Sequence, residues 1–176
     1  MKVKAGTVRQ DRAQKRASRT RRRLQEAALS VFTEVGVDAA AIEDITERAD
    51  LGKGTFYRHF RDKYDLMLSL VENAVDHLLE HVNQVEQQPE DLEEALEHLL
   101  VAHSTFFGDN SEEFILLFQG RVLLKLQRES AEELEQPYVR YLEAIENYLS
   151  PYVSKRIDPV KVRRLACAVA GFVFGF

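Results

Sequence analysis

The chain has 176 residues, 45% of them hydrophobic and 30% charged, a composition that supports a buried core and excludes an intrinsically disordered chain. Its one cysteine, Cys167, excludes a disulfide framework within the chain and a cysteine-only zinc site. No apolar run approaches the roughly 20 residues of a membrane span, and the segment before Arg23 lacks the apolar core of a secretory signal. We therefore expect a soluble, cytoplasmic protein.

The net charge of −5 is divided unevenly along the chain. Residues 1–63 hold 15 Lys/Arg and 9 Asp/Glu, whereas residues 64–176 hold 9 Lys/Arg and 20 Asp/Glu. A basic front end on an acidic body indicates an anionic partner at one end only. Charge alone leaves a solvated basic tail as an equal alternative.

The apolar spacing is helical nearly throughout, which predicts an all-α fold. Residues 1–15 are polar and basic, and we interpret them as a flexible arm. The next helix carries an apolar stripe from Leu24 to Val35 and is stopped by Gly36. A short second helix contains Ile42, Ile45 and Ala49, and a third ends near Phe60.

Capping residues predict the later helices. Asp62 caps a long fourth helix with Asp65 at the N3 position, and Pro89 ends this run. The remaining helices are expected at about Asp91–Phe107, from Ser111 onward, at about Ala131–Val153 with a kink at Pro137, and from Asp158-Pro159 to the end. We predict a helix-turn-helix domain over residues 16–63 and an antiparallel helical regulatory and dimerisation domain over residues 64–176, with helix four shared.

The segment from Gly36 to Leu66 has the plan of a helix-turn-helix, two short helices joined by a turn of three or four residues. Its apolar residues would bury the inner face of a three-helix unit: Ile42, Ile45, Ala49, Leu51, Phe56 and Phe60. The outer face of the third helix would then present cations, a hydroxyl, a phenol and an imidazole, which suits a phosphate-lined groove: Lys53, Thr55, Tyr57, Arg58 and His59.

At this point the chain closely resembles the TetR family of one-component regulators. The resemblance rests on Phe32 and Gly36, on AIEDITERADLGKGTFYRHF from Ala41 to Phe60, and on Lys63 and Leu66. It is specific over the first 65 or so residues, and beyond them it extends only to a general helical layout. It implies a DNA-binding regulator, not an enzyme, that binds a double-stranded operator and a small-molecule effector.

The resemblance also implies roles for individual residues. Lys53, Gly54 and Thr55 would reach base edges in the major groove, and Arg58 would touch either a base or the backbone. Phosphates would be held by Tyr57, His59 and Lys63. The basic segment itself indicates further contacts, in which about half of its cations follow phosphates or enter the minor groove, notably Arg19 and Arg22, and the rest are solvated. The candidates are Arg9, Arg12, Lys15, Arg16, Arg19, Arg21, Arg22 and Arg23. The alternatives are packing within the three-helix unit for Tyr57 and His59, and simple solvation for Lys53.

Two stretches depart from the family pattern. Ala39-Ala40-Ala41 replaces the hydroxyl residue that usually opens helix two, so Asp38 is the candidate cap. In the turn, Asp50 replaces the usual glycine and Gly52 the usual serine cap. Aspartate tolerates the left-handed conformation better than most residues, so we expect the fold to survive these changes.

The second half has no catalytic constellation but many aromatic residues. Each could be helix-bundle core, or could line the effector cavity that the resemblance implies; the cavity candidates are Phe106, Phe107, Phe118, Arg121 and Tyr141. Arg121 would pair with an anionic effector or form an ordinary salt bridge. His77 and His81 share a helix face without a third ligand, so a solvated face is favoured over a metal, and no cofactor is expected.

The segment from Leu165 to Phe176 is apolar nearly all round and would bury only against other helices. The resemblance implies a homodimer formed through C-terminal helices, which matches a palindromic operator. Because relatives usually continue for another helix, we interpret the end at Phe176 as a truncation. Membrane insertion is the rival interpretation, but the segment is too short.

The function favoured by the sequence is therefore a ligand-responsive repressor. An enzyme with a phosphate loop at Gly52-Lys53-Gly54-Thr55 is disfavoured, because Glu47 stands where the first glycine is needed and no strand precedes the loop. A helical interaction protein of the same fold that has lost operator binding remains the alternative.

Overall fold

The computed structural model describes residues 3–84, 88–126, 131–153 and 159–174, and all regular structure in these ranges is helical. The all-α prediction is confirmed. The elements are α1 (Val3–Val35), α2 (Ile42–Arg48), α3 (Lys53–Phe56), α4 (Lys63–Val82), α5 (Leu92–Asp109), α6 (Ser111–Leu126), α7 (Ala131–Leu149), a 3₁₀ turn (Ser150–Tyr152) and α8 (Pro159–Phe174). Within the described ranges, no helix combines the length and apolarity needed to cross a membrane.

The chain divides into two compact units, Met1–Leu70 and Val71–Phe176. The division falls inside α4, so this helix contributes residues to both units. This division, after Leu70, lies later in the chain than the domain boundary that we placed after residue 63.

The basic N-terminal segment differs from its prediction. We expected residues 1–15 to form an arm, but α1 begins at Val3 and runs without a break to Val35. The segment has no proline and is rich in Ala, Arg, Lys and Gln, which have high helix propensity. The Lys15 ammonium also lies 3.1 Å from the Asp11 carboxylate, a spacing of four residues that supports a helix.

The core of the first unit is built from the stripe on α1. Leu24, Ala28 and Phe32 are fully buried, together with Ile45 of α2 and Phe56 of α3. Full burial of a Leu, Ile or Phe side chain contributes about 1.5–3 kcal/mol. The inner face predicted for the three-helix unit is therefore largely confirmed, with Ile42 and Leu51 half-buried at its edge.

Glycine ends α1 as expected. Gly36 has φ +82°, the left-handed region, and its N–H donates to the Phe32 carbonyl at 2.9 Å. In the turn between α2 and α3, Asp50 has φ 51°, so the expectation that aspartate adopts the left-handed conformation here is confirmed. The N–H of Leu51 then closes the turn by donating to the Thr46 carbonyl at 2.9 Å.

The helix caps were predicted with mixed success. The Asp62 carboxylate accepts from the N–H groups of Tyr64 and Asp65, both at 2.9 Å, which confirms the cap of α4. The Asp38 cap of α2 is wrong, because the N-cap residue is Ala41. The Ala41 N–H donates instead to the Asp44 carboxylate at 3.3 Å.

In the second unit, α7 packs against α5, α6 and α8. Its core includes Leu99, Leu117, Ile145 and Ala166. Asp91 caps α5 by accepting from the Glu94 N–H at 3.0 Å.

α7 ends at Leu149, earlier than predicted, because Pro151 stands in the 3₁₀ turn that follows. Of the apolar C-terminal segment, Ala166, Val169 and Ala170 are buried, while the side chains of residues 172–176 lie outside the description.

Candidate nucleic-acid interface

The third helix presents a short exposed face that is anchored by one buried ring. Phe56 is 0% exposed, and its ring meets the ring of Tyr57 edge-on at 5.4 Å between centroids. Tyr57 itself is 59% exposed, and Lys53, Gly54 and Arg58 are also exposed. Burial of Phe56 therefore fixes the outward direction of the residues that flank it.

Glycine at position 54 leaves the N-terminal end of α3 open. Apart from its chain neighbours and the backbone of its own helix, a Cβ atom built at Gly54 would meet no heavy atom of the described residues within 4 Å. The protein itself therefore does not require glycine here. The φ of Gly54 is not left-handed either, so the backbone conformation does not require glycine here.

Lys53 is engaged in an ion pair within the unit. Its ammonium contacts the carboxylate of Glu43 on α2, with the two side chains 54% and 56% exposed. An ion pair at this exposure is weak, about 0–1 kcal/mol. Lys53 therefore remains available to a polyanion, at the cost of parting from Glu43.

Arg58 and Thr55 contact each other on this face. The Arg58 guanidinium donates to the Thr55 hydroxyl at 3.0 Å, which orients the hydroxyl of the half-buried Thr55.

The surroundings of His59 disfavour its charged form. Partial burial, followed by the positive charges of Arg21 and Arg58, lowers the pKa of His59 below its usual value. His59 is thus a neutral imidazole near pH 7, and its ring N–H can donate to an anion without bringing a charge.

Lys63 has a role that the sequence did not indicate. Its half-buried ammonium donates to the backbone carbonyls of Asp38 at 2.7 Å and Ala40 at 3.1 Å. The Tyr64 hydroxyl donates to the Asp38 carboxylate at 3.2 Å. The start of α4 therefore contacts the loop before α2, and Lys63 is engaged with that loop in the absence of DNA.

The arginines of α1 fall into two groups. Arg21 and Arg23 are structural clamps: Arg21 donates to the His59 carbonyl at 3.0 Å and covers the Phe60 ring, and Arg23 donates to the Ala49 carbonyl at 2.6 Å. Arg19 and Arg22 form the second group and are both exposed, and Arg22 pairs with Glu26 at 2.7 Å. The spacing of four residues could have revealed the Arg22–Glu26 pair, but no local signal marks the two clamps.

In the second unit, three of the five effector candidates form one cluster with a buried histidine, and Phe107 is its half-buried member. The ring centroids of Phe106 and Phe107 lie 5.4 Å apart, and those of Phe107 and His103 lie 6.3 Å apart. The Tyr141 hydroxyl oxygen lies 2.8 Å from His103 Nε2. His103 Nδ1 lies 2.6 Å from the Leu99 carbonyl, which can only accept. His103 therefore donates from Nδ1 and accepts the Tyr141 proton at Nε2.

The other two candidates are placed differently. Phe118 is 47% exposed and lies outside this cluster, and the Arg121 guanidinium lies 5.7 Å from the centroid of the Tyr138 ring. His103 was not among the predicted effector-site residues, although it follows Leu99 by four positions on the buried face of α5. Over the described part of the chain, no group of three His, Cys, Asp or Glu side chains is placed to hold a metal ion.

Comparison with known proteins adds a family to this geometry. Residues 24–70 match the model described as bacterial regulatory proteins of the tetR family. The HTH-type transcriptional regulator YvdT of Bacillus subtilis, itself described as uncharacterized, is 30% identical over 125 residues, which is 71% of this chain and 64% of that protein. An HTH-type transcriptional regulator of Staphylococcus aureus (strain USA300) is 35% identical over 71 residues, 40% of this chain and 38% of the relative. The matched region thus spans less than two thirds of either relative.

Solved structures share the fold at low sequence identity. FadR of Bacillus subtilis, solved in complex with stearoyl-CoA, superposes with a TM-score of 0.73 at 18% identity, covering 87% of this chain and 84% of FadR. GusR of Salmonella enterica gives a TM-score of 0.72 at 17% identity, covering 89% of this chain and 80% of GusR. At these identities the likeness shows the fold alone.

Proposed function

Because the chain belongs to the tetR family of bacterial regulatory proteins, we propose that it is a ligand-responsive transcriptional repressor that binds a palindromic DNA operator as a homodimer. The observation that carries the DNA-binding part is the exposed face of α3. Lys53, Tyr57 and Arg58 point outward from a unit whose core holds Phe56 fully buried. A rigid, basic helical edge of this size fits the major groove of a duplex.

The roles proposed for the individual residues follow from their chemistry. Lys53, Gly54 and Thr55 lie at the N-terminal end of α3, the end of a recognition helix that usually contacts base edges. The Tyr57 hydroxyl and the neutral His59 ring donate hydrogen bonds to phosphates, which position the helix without reading sequence. Arg58 reaches the same groove once it releases the Thr55 hydroxyl, and Arg19 and Arg22 add phosphate contacts from α1. Lys63, at the start of α4, adds a further phosphate contact once it releases the carbonyls of Asp38 and Ala40.

Dimerisation and effector binding are assigned to the second unit. A two-fold dimer would place two recognition helices about one DNA turn, or a multiple of it, apart. The effector site is proposed around Phe106, Phe107 and Tyr141, with Arg121 and Phe118 at its margin, because this cluster combines aromatic surface with a buried polar pair. FadR of Bacillus subtilis, which shares the fold, was solved with stearoyl-CoA, which supports an effector site in a chain of this architecture.

A titration of DNA with the purified protein tests the proposal. Fluorescence anisotropy would compare the duplex upstream of the gene with a random-sequence duplex of equal length, at two salt concentrations. Tyr57→Ala should weaken binding to both duplexes alike, by about tenfold if one hydrogen bond to a charged phosphate is lost. Lys53→Ala should weaken binding to the upstream duplex more than to the random one.

The control for these variants is Arg164→Ala, an exposed cation in the second unit, which should leave both affinities unchanged. Equal losses on both duplexes for Tyr57→Ala and Lys53→Ala would contradict the division of roles. The alternative function, a helical interaction protein without operator binding, is favoured by the engagement of Lys63 within the first unit. A folded wild-type protein with no preference for the upstream duplex would support that alternative.

A further inference from the structure

We propose that the N-terminal half of α1 is a second DNA-binding surface, which holds phosphates outside the groove occupied by α3 and reads no sequence. The surface is the basic stripe, defined as Arg12, Arg16 and Arg19. This inference rests on the proposed function in one respect, that the partner is duplex DNA.

Helical geometry places the basic stripe on one side of α1. Positions 12, 16 and 19 are spaced by four and three residues, and at about 100° per residue their side chains fall within a sector of about 60°. The helix is unbroken across these positions. The rise of about 1.5 Å per residue spreads the three guanidiniums over about 10 Å, a length that matches about three phosphates along one DNA strand.

The three guanidiniums of the basic stripe are unengaged. All three side chains are exposed, and none of them makes a hydrogen bond or an ion pair with any residue that the structure describes. The neighbouring cations are different, since Lys15 pairs with Asp11 and Arg22 pairs with Glu26. A run of unpaired charges keeps its full electrostatic attraction for a polyanion.

One clamp fixes where the basic stripe lies relative to the DNA-binding helix. Arg23 continues the stripe by another four residues, and its guanidinium donates to the Ala49 carbonyl and approaches the Asp50 carboxylate at 3.5 Å. These two residues form the turn that leads into α3. The stripe therefore extends from the side of α1 that carries this turn, so DNA engaged by α3 lies on the same side.

Composition favours a nucleic acid over an acidic protein segment. Residues 10–19 contain no large apolar side chain, whereas protein interfaces depend on buried aromatic or aliphatic anchors. An open groove of about 580 Å³ beside the stripe is lined by polar and charged residues, with one carboxylate among them: Lys15, Ser18, Arg19, Arg22, Arg23 and Glu26. Guanidiniums without apolar anchors suit phosphates.

The test measures the salt dependence of binding to a random-sequence duplex of about 40 base pairs. The triple variant R12Q/R16Q/R19Q removes the stripe and keeps good helix formers in place. The control R140Q/K161Q/R164Q removes the same number of positive charges from exposed positions of the second unit, where Arg140 differs from the stripe residues in being paired with Asp76 at 2.9 Å. Circular dichroism and thermal unfolding of each variant confirm that the fold is retained.

The expected result is a decrease of about 2.7 in the slope of log K against log salt, per protomer, for the stripe variant and no decrease for the control. The lysine variant R12K/R16K/R19K should keep the wild-type slope, because phosphate neutralisation needs charge and not the guanidinium fork. An unchanged slope in the stripe variant, or an equal decrease in the control, overturns the proposal.

The experiment separates this proposal from the proposed function. If the wild-type protein shows no preference for its upstream DNA, operator recognition fails, yet the slopes on random DNA still report on the stripe. If the preference is present and the slopes are equal, the stripe fails and operator recognition by α3 stands.

Discussion

Removing the partner of Lys53 should strengthen DNA binding. The Lys53 ammonium is paired with the Glu43 carboxylate, and the contact that we propose between Lys53 and DNA requires this pair to open. Glu43→Gln removes the carboxylate and keeps the shape of the side chain. Lys53 then reaches the duplex without losing an ion pair, and one negative charge near the phosphates disappears.

The size of the effect follows from the exposure of the pair. The two side chains are 54% and 56% exposed, so solvent screens their attraction and the pair is worth no more than about 1 kcal/mol. We therefore expect the dissociation constant to fall about two- to fivefold at low salt. Because salt weakens exposed ion pairs, the gain should shrink as the ionic strength rises from about 0.05 M to 0.3 M.

Fluorescence anisotropy on the upstream duplex measures this change. Glu47→Gln is the matched control, since it removes the same charge from the exposed face of the same helix, at a position without an ion pair to any described residue. General repulsion from the phosphates affects both variants, so the difference between them isolates the release of Lys53. Equal affinities of the two variants, or weaker binding by Glu43→Gln, would refute the reasoning.

Two further predictions concern stability. Asp50→Gly should raise the free energy of unfolding by about 0.5–1 kcal/mol in urea titrations, because glycine adopts the positive φ of this position without a steric penalty. A free energy of unfolding below that of the wild type would show that losing the Arg23–Asp50 contact outweighs the relief of the backbone. Burial lowers the pKa of His103 below its usual 6.5, so below about pH 6.5 protons bind the unfolded chain more readily than the folded one. The free energy of unfolding should therefore fall as the pH drops below about 6.5, whereas above this pH the contribution of His103 to it is constant. His103→Gln should flatten the decline, and an identical pH profile for the wild type and this variant would contradict the assignment.

Much of the fold could be predicted because the signals are local. Residues within a few positions of one another determine the apolar stripe from Leu24 to Val35, the end of α1 at Gly36 and the cap at Asp62. The helical state of residues 3–15 was missed because basic and polar composition describes a solvated helix as well as a flexible arm. Helix propensity, which ranks Ala, Arg, Lys and Gln highly, was the better guide in that segment.

The candidate site was harder to predict where contacts join distant positions. Lys63 and the Asp38 carbonyl are 25 residues apart, and Tyr141 and His103 are 38 apart. Nothing in the sequence indicates that a lysine at the start of α4 will donate to the carbonyls of the loop before α2. Likewise, a histidine between apolar residues gives no sign of the tyrosine that satisfies it.

The unbroken course of α1 from Val3 has a thermodynamic consequence for the complex with DNA. Chains that order a basic arm on binding lose conformational entropy at that step and show the large heat-capacity change of coupled folding. Here the backbone of the basic segment is already helical, so the contacts that we propose for it would form by docking of a preformed helix. The association should therefore be fast, and its calorimetric signature should be that of counterion release, with little contribution from folding.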